Sequence, residues 1–504
     1  MITTLIFTPI VFAILVLCVP GKNPRALSAF RTLTLVGTGI PLVLATLLLF
    51  RYTGGYQWVE KVAWIPQFHI QYYVGLDGLS LPMVWLTVLL SFLGSLASWS
   101  IQKDAKGYFA LYLFLEAGML GVFSALDFFL FFVFWEVMLL PMYFLIGIWG
   151  GTHRTYAAIK FFLYTLFGSV LLLLVMIGMY WYATPATFSF VELSSARPFF
   201  GKVIEIFGHT YALDRLLWLA LFVAFAVKVP VFPFHTWLPW AHVEAPTAVS
   251  VLLAGVLLKM GTYGLLRLNF SILPEATVWA SYGLAVFGVI NIIYGAFCAL
   301  AQKDLKKLVA YSSISHMGFV LLGLASLTSA GLSGAVLLMF HHGLSSGLLF
   351  LVVGVLYDRA HHRWIIRPDG TRGFGGIASV APVYTLAATI AVFAALGLPG
   401  FSGFISEVLV FLGAFQVPAL RGLVLVASLG IILGAAYLLW MFMRVFLGPR
   451  LENGPPMPDL VWREKLTLFP LCGLLLAVGV YPQPVLTLMN QTLQTILKIV
   501  VPGL

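Results

Sequence analysis

The chain is a succession of apolar runs, each close to the length that crosses a bilayer, separated by short polar stretches. At roughly twenty apolar residues per span, about fourteen segments qualify, near 2–20, 29–50, 77–99, 108–126, 128–149, 156–182, 214–234, 245–267, 276–300, 307–327, 331–357, 378–414, 421–447 and 466–497. Only 9% of the 504 residues are charged and 61% are hydrophobic, whereas a soluble domain carries about a quarter charged residues. The fold class expected is an all-α polytopic membrane protein.

Lys and Arg set the expected orientation. The first apolar run is expected to remain as a span, because no positive residue precedes it and Lys22 and Arg25 follow it. Odd-numbered loops hold Lys22, Arg25, Arg31, Lys103, Lys106, Arg154, Lys303, Lys306, Lys307, Arg359, Arg363, Arg367, Arg372, Arg444, Arg450, Arg463 and Lys465. Even-numbered loops hold fewer: Arg51, Lys61, Arg197, Lys202, Arg215, Arg267 and Arg421. Odd loops therefore belong in the cytoplasm and both termini outside. The formal charge of +10 reports this topology and not a nucleic-acid partner. Cys18, Cys298 and Cys472 form no CxxC pair, which argues against zinc or iron-sulfur sites. No glycine-rich nucleotide motif is present, so no cofactor is expected in the chain itself.

Lys228 lies in an apolar stretch, Leu216 to Phe234, that Pro230 and Pro233 interrupt. Irregular backbone at membrane depth survives only when buried in protein or lining a wet cavity. An ionisable residue there is by default a functional candidate. A second Pro/Gly break, Gly397-Leu-Pro399-Gly-Phe401-Ser-Gly403, falls five spans later. Paired breaks point to two inverted five-helix repeats with broken helices 7 and 12. The runs Phe162–Gly178 and Phe340–Leu356 echo one another with small residues at Gly168/Ser346 and Ser169/Gly347. The expected division is 1–104 for helices 1–3, 105–270 for the first repeat, 271–448 for the second, and 449–504 for a C-terminal helix 14. Ala183 to Leu213 and Asp358 to Gly376 read as connectors.

Glu116, Glu136, Lys228, Lys259, His316, His341, His342 and Glu407 are the ionisable residues that cannot easily reach an interface. Their spread over many spans suggests a lateral proton relay and not one substrate site. Glu136 is the natural partner of Lys228, either as a switch that loads and unloads a proton or as a fixed ion pair. Lys259 is deep in its span, and His316 is flanked by Ser312, Ser313 and Ser315. Histidine shuttles protons in either direction near neutral pH, although a satisfied core histidine remains an alternative. His341 and His342 point about 100° apart on a helix, so they cannot grip one metal, and one of them joins the relay at most. Glu407 follows the second break. Glu116, His235 and His242 are further candidates, with structural roles open for each.

Phe132-Val-Phe-Trp135-Glu136 with Pro141, Lys228-Val-Pro230 through His235-Thr-Trp237-Leu-Pro239, Ala245-Pro-Thr247 through Lys259-Met-Gly-Thr-Tyr263-Gly264, and Tyr311-Ser-Ser-Ile-Ser-His316-Met-Gly318 together resemble the antiporter-like subunits of respiratory complex I, across nearly the whole chain. The resemblance implies fourteen spans, two inverted repeats with broken seventh and twelfth helices, and a relay of Glu136, Lys228, Lys259, His316 and Glu407. Glutamate at 407 is similar to the M-type branch, which includes mitochondrial subunit 4; L-type and N-type chains carry lysine there. With the chain stopping at Leu504, the long lateral helix of the L type is not expected. The resemblance further implies proton translocation without redox chemistry in this chain, with FMN, iron-sulfur clusters and quinone in partner subunits, and L-type and N-type chains beside it. Two rivals stay open: an Mrp-type sodium/proton antiporter or hydrogenase-linked subunit, and a structural spacer.

Overall fold

A computed structural model describes residues 1–21, 25–206, 208–451, 454 and 456–502; Lys22, used above for orientation, and Leu504 lie outside them. Apolar runs become helices throughout. The first set is α1 (Ile2–Cys18), α2 (Ala26–Arg51), α3 (Ser80–Ala97), α4 (Ala105–Ser124), α5 (Phe128–Val137), α6 (Leu139–Trp149), α7 (Arg154–Tyr182), the short α8 (Phe190–Ala196), α9 (Leu213–Lys228) and α10 (Trp237–Glu244). Then α11 (Thr247–Leu252) and α12 (Leu258–Gly264) continue one another through π-helical turns at Leu253–Leu257 and Leu265–Phe270. The rest are α13 (Pro274–Leu300), α14 (Leu305–Ala325), α15 (Ser329–Ala360), α16 (Pro382–Ala395), α17 (Ser402–Gln416), α18 (Arg421–Val445), α19 (Trp462–Val480) and α20 (Gln483–Val500).

Among the described residues ten helices are long and apolar enough to cross a membrane, or eleven when the bent α19–α20 pair counts as one. Shorter apolar helices α1, α16 and α17 add to these. The span Thr247–Phe270 and the span formed by α15 are wholly enclosed by protein, while α18 is mostly open at the surface. Polar side chains on these two central spans are therefore shielded from the surroundings, whereas α18 presents an apolar surface.

Three regions differ from the sequence reading. The run expected as one fourteenth helix, 466–497, is two helices meeting at 72°, because Tyr481-Pro482 interrupts it and α20 is amphipathic, burying Met489, Leu493, Ile496 and Val500 along one side. The segment between α2 and α3 forms an antiparallel hairpin, β1 (Gln57–Ile65) with β2 (Ile70–Leu76), and the connector after α7 holds α8 and a second hairpin, β3 (Val203–Ile206) with β4 (His209–Ala212). Arg267 and Lys306, counted above as loop charges, are instead buried within helical segments.

Side-chain caps fix several helix starts that matter for the interior: Asp127 accepts from Leu130 N at α5, Asp304 from Lys307 N at α14, and Thr328 from Gly331 N at α15. Asp459 accepts from Val383 N (2.9 Å) and Tyr384 N (2.8 Å) and so clamps the first turn of α16, the helix that leads to the second break. Partial burial of Asp459 opposes its charge, but amides of Val383, Leu460 and Tyr384 outweigh this and hold the carboxyl below its usual range.

Candidate proton-transfer site

Proline decides where α9 stops. The chain leaves the helix after Lys228, passes Pro230 and Pro233, and resumes as α10 at Trp237. The freed polar groups are then bonded individually. Trp237 Nε1 donates to Val227 O (2.8 Å), Phe232 N donates to Asn291 Oδ1 (2.8 Å), and Asn291 Nδ2 donates to Pro230 O (3.2 Å). Asn291, on α13, is therefore the stitch that holds the first break. The reading of the sequence missed it, although a single amide in the apolar run 276–300 is the signal that would have found it.

Lys228 is buried with its Nζ 5.0 Å from the centre of the Trp135 ring and 5.7 Å from that of Phe161. Ring faces attract a cation at such distances. Glu136, on α5, is close enough to influence Lys228 electrostatically, yet no salt bridge joins the two among the described residues. Glu136 is partly exposed beside exposed Val137 and Leu140, and its Oε1 has no partner. The ion pair expected from sequence is thus open here, and Trp135 takes the contact instead.

Lys259 is fully enclosed on α12. The π-turn before it presents the Ala254 carbonyl to Nζ, and Nζ also meets His342 Nδ1 of α15 at 2.6 Å. A proton on that bond can reside on either nitrogen. His342 in turn faces His316 of α14, ring centroids 5.5 Å apart. Both His316 nitrogens meet carbonyls, Nδ1 that of Ser312 at 2.8 Å and Nε2 that of Ala395 at 3.1 Å. A neutral imidazole donates to one of them and an imidazolium to both. Ala395 is the last residue of α16, so His316 touches the second break directly.

His341 points the other way and shares a hydrogen bond with Ser402 Oγ (2.8 Å) at the start of α17. The adjacent histidines therefore serve different neighbours, as their helical phase requires. Glu407 lies on α17 against Gly397 of the break, whose φ is +67°. A Cβ on Gly397 would stand 2.5 Å from Glu407 Oε2. Gly397→Ala is accordingly expected to cost ~1–2 kcal/mol from the left-handed backbone alone and to displace the carboxylate as well. Thermal unfolding of the assembled protein measures this, and an unchanged midpoint would show that the close approach does not hold Glu407.

None of the remaining candidates has a side-chain hydrogen bond to this cluster among the described residues, although His242 is near enough to Lys259 and His342 to feel their charge. Glu116 is enclosed on α4 with neither carboxylate oxygen bonded to protein. His235 shares a hydrogen bond with Tyr294 Oη (3.2 Å), and its Nδ1 has no partner. His242 is enclosed, stacked at 4.5 Å on Phe350, with neither ring nitrogen bonded. Unpartnered buried polar atoms of this kind call for water. Next to His242, a cavity of about 210 Å³ runs in from the surface between Glu244, Lys306, Asp358 and Arg363.

A membrane-enclosed row of titratable groups strung between two broken helices defines a proton-conducting or antiporter-like class of protein. The family described as NADH:quinone oxidoreductase/Mrp antiporter, TM, matches residues 125–433. NADH-quinone oxidoreductase subunit M of Rhodobacter capsulatus is 41% identical over 488 residues, covering 95% of this chain and 92% of that protein. The subunit M of Rickettsia conorii is 39% identical, covering 88% and 86% respectively. A chain of respiratory complex I from Thermus thermophilus with bound NADH superposes with a TM-score of 0.86 at 31% identity, over 99% of this chain and 100% of that one. A chain of the Mrp complex from Dietzia shares the fold, with a TM-score of 0.84 at 21% identity over 100% and 98%. This chain belongs to the NADH:quinone oxidoreductase/Mrp antiporter membrane family.

Proposed function

We propose that the chain is a proton-translocating, antiporter-like subunit in the membrane arm of a bacterial NADH:quinone oxidoreductase, of the M type. Redox chemistry takes place in partner chains carrying FMN, iron-sulfur clusters and quinone, and L-type and N-type antiporter-like chains adjoin it. The observation that carries the reading is the Lys259–His342–His316 array, which links a fully enclosed lysine to the carbonyl end of a broken helix. Relatives named as quinone oxidoreductase subunits at 39–41% identity favour this assembly over the Mrp one.

Residues 105–270 and 271–448 form the two inverted repeats, preceded by 1–104 and followed by 449–504, with both termini on the periplasmic side. Energy released at quinone reduction changes the distance between Glu136 and Lys228. A proton then passes from Lys228 to Lys259, through His342 to His316, and on to Glu407 beyond the second break. Glu116, His235 and His242 connect the row to water or to neighbouring chains.

The test is purification by a tag on this chain, with NADH oxidation, quinone reduction and vesicle acidification measured together. Co-purifying flavin and iron-sulfur chains with coupled acidification supports the reading; transport driven by a sodium gradient without NADH overturns it. His342→Leu is expected to lower protons translocated per electron while leaving quinone reduction in the uncoupled state intact. Full coupling in that variant would mean that His342 does not bridge Lys259 and His316.

A further inference from the structure

Beyond Lys259, the same helix carries a second polar column toward the face on which α20 lies. Tyr263 and Arg267 follow at intervals of four residues, and the column ends at Asp77 just before α3. Tyr263 Oη donates to Phe123 O (2.9 Å) and accepts from Arg267 Nε (3.1 Å). Arg267 also donates to Tyr56 Oη (3.1 Å) and, through Nη2, to Asp77 Oδ1. The same carboxylate oxygen is held by Leu79 N, Ser80 N and Ser80 Oγ at 3.1, 2.9 and 3.1 Å. Outside this cluster lies an open cavity of about 460 Å³ lined by Tyr56, Asp77, Arg267, Ser271 and, from α20, Gln491 and Thr495. Eight residues of helix, about 12 Å, separate Lys259 from Arg267.

Two features set this column apart from the row of the preceding subsections. His342 Nε2 in the row, and His341 Nε2 beside it, have no bonded partner, whereas none of the buried side-chain atoms of Asp77, Tyr263 or Arg267 is without one. The hydrogen bonds also run against outward transfer. Along the column the next titratable group after Lys259 is Tyr263, whose hydrogen is committed to Phe123 O and whose oxygen accepts from Arg267, and beyond it stands a guanidinium that has five donors, no acceptor and a permanent charge. Arginines facing a pore exclude protons in this way.

We propose that the Tyr263–Arg267–Asp77 cluster is a fixed proton barrier that stops the charge at Lys259 from discharging into the cavity beneath α20. The inference rests on the proton-relay reading and adds a direction to it: protons on Lys259 move along the row because this exit is closed. Asp77 keeps the guanidinium in place, and Tyr56 and Tyr263 hold its plane across the path.

The test uses the assembled complex in sealed liposomes, with passive proton leak read in the absence of NADH. Arg267→Gln leaves Asp77 buried without a counter-ion, so the double variant Arg267→Gln/Asp77→Asn is made beside it; that pair removes both charges, with Asn keeping the shape of Asp77 and the shorter Gln keeping two of the five donors of Arg267. Leak is expected to rise about tenfold or more in the double variant once the guanidinium, which neither accepts nor releases a proton, is gone, and Arg267→Lys, which keeps the charge but can release its proton, is expected to leak less than the double variant. Wild-type leak in the double variant overturns the barrier, as does equal leak in Arg267→Lys, which would make the role one of packing. Absence of NADH-driven acidification in the wild type would instead count against the proton-relay reading, so the two failures are separable.

Discussion

Replacing Lys259 by methionine is expected to abolish proton transfer through this chain while the chain still assembles. Lys259 is enclosed, makes no salt bridge among the described residues, and is held by one carbonyl and one imidazole nitrogen. A buried charge without a carboxylate is costly, and replacing it with an apolar side chain of similar length is often neutral or stabilising. The loss therefore falls on function. Coupled NADH oxidation should drop by more than about tenfold, ~1.4 kcal/mol of barrier, and protons translocated per electron should fall with it. The structural-spacer reading requires the opposite pattern, with less assembled complex and unchanged pumping per complex. Lys259→Arg sharpens the contrast, because a guanidinium keeps the charge but does not release a proton. Pumping restored by arginine would show that a fixed charge suffices and that Lys259 relays nothing.

How far the sequence was legible depended on whether a residue's chemistry stood out from its own segment. Lys228 beside Pro230 and Pro233 did, and the structure breaks the helix there; so did Lys259, found fully enclosed. Gly397 and Pro399 marked the second break equally plainly. What stayed illegible was relation between segments. Helical phase separated His341 from His342 but could not say which of them faced Lys259, since that depends on how α15 is rotated against α12. Charge pairs Glu136 with Lys228 in the sequence, whereas only packing brings the Trp135 ring over the ammonium.

Charges near segment ends misled for a related reason. Arg267 and Lys306 were assigned to loops because a hydropathy window treats any terminal charge as solvated. In the structure Arg267 is neutralised by Asp77, and Lys306 donates to Ala245 O at 2.7 Å, so both stay inside. The β1–β2 hairpin fills a gap between apolar runs, to which the pattern of spans assigns no element. Local pattern thus identified the spans and the unusual side chains, while partner choice was set by tertiary packing.

Asn291→Leu is expected to be the most destabilising single substitution near the first break. Leucine fits the size and hydropathy of α13 and would pass as an improvement for a helix in lipid. Yet the Asn291 amide both accepts from Phe232 N and donates to Pro230 O, across a stretch where proline has already removed helical bonds. The substitution leaves a buried donor and a buried acceptor unpaired at ~1–3 kcal/mol each, a total of about 2–6 kcal/mol, with no bulk water at that depth to replace them. Thermal unfolding in mild detergent measures the loss. Because Lys228 ends α9 immediately before the stitched segment, a loosened break also frees the ammonium from the Trp135 and Phe161 rings. Pumping should therefore fall more steeply with temperature in this variant than quinone reduction does. Asn291→Asp preserves the acceptor for Phe232 N, and its O–H can donate to Pro230 O only while the carboxyl is protonated, so its cost should be small at low pH and should grow as the carboxyl ionises and that donor is lost. A leucine variant as stable as the parent would show that the first break is held by packing of Trp237 and Phe161 and not by the amide of Asn291.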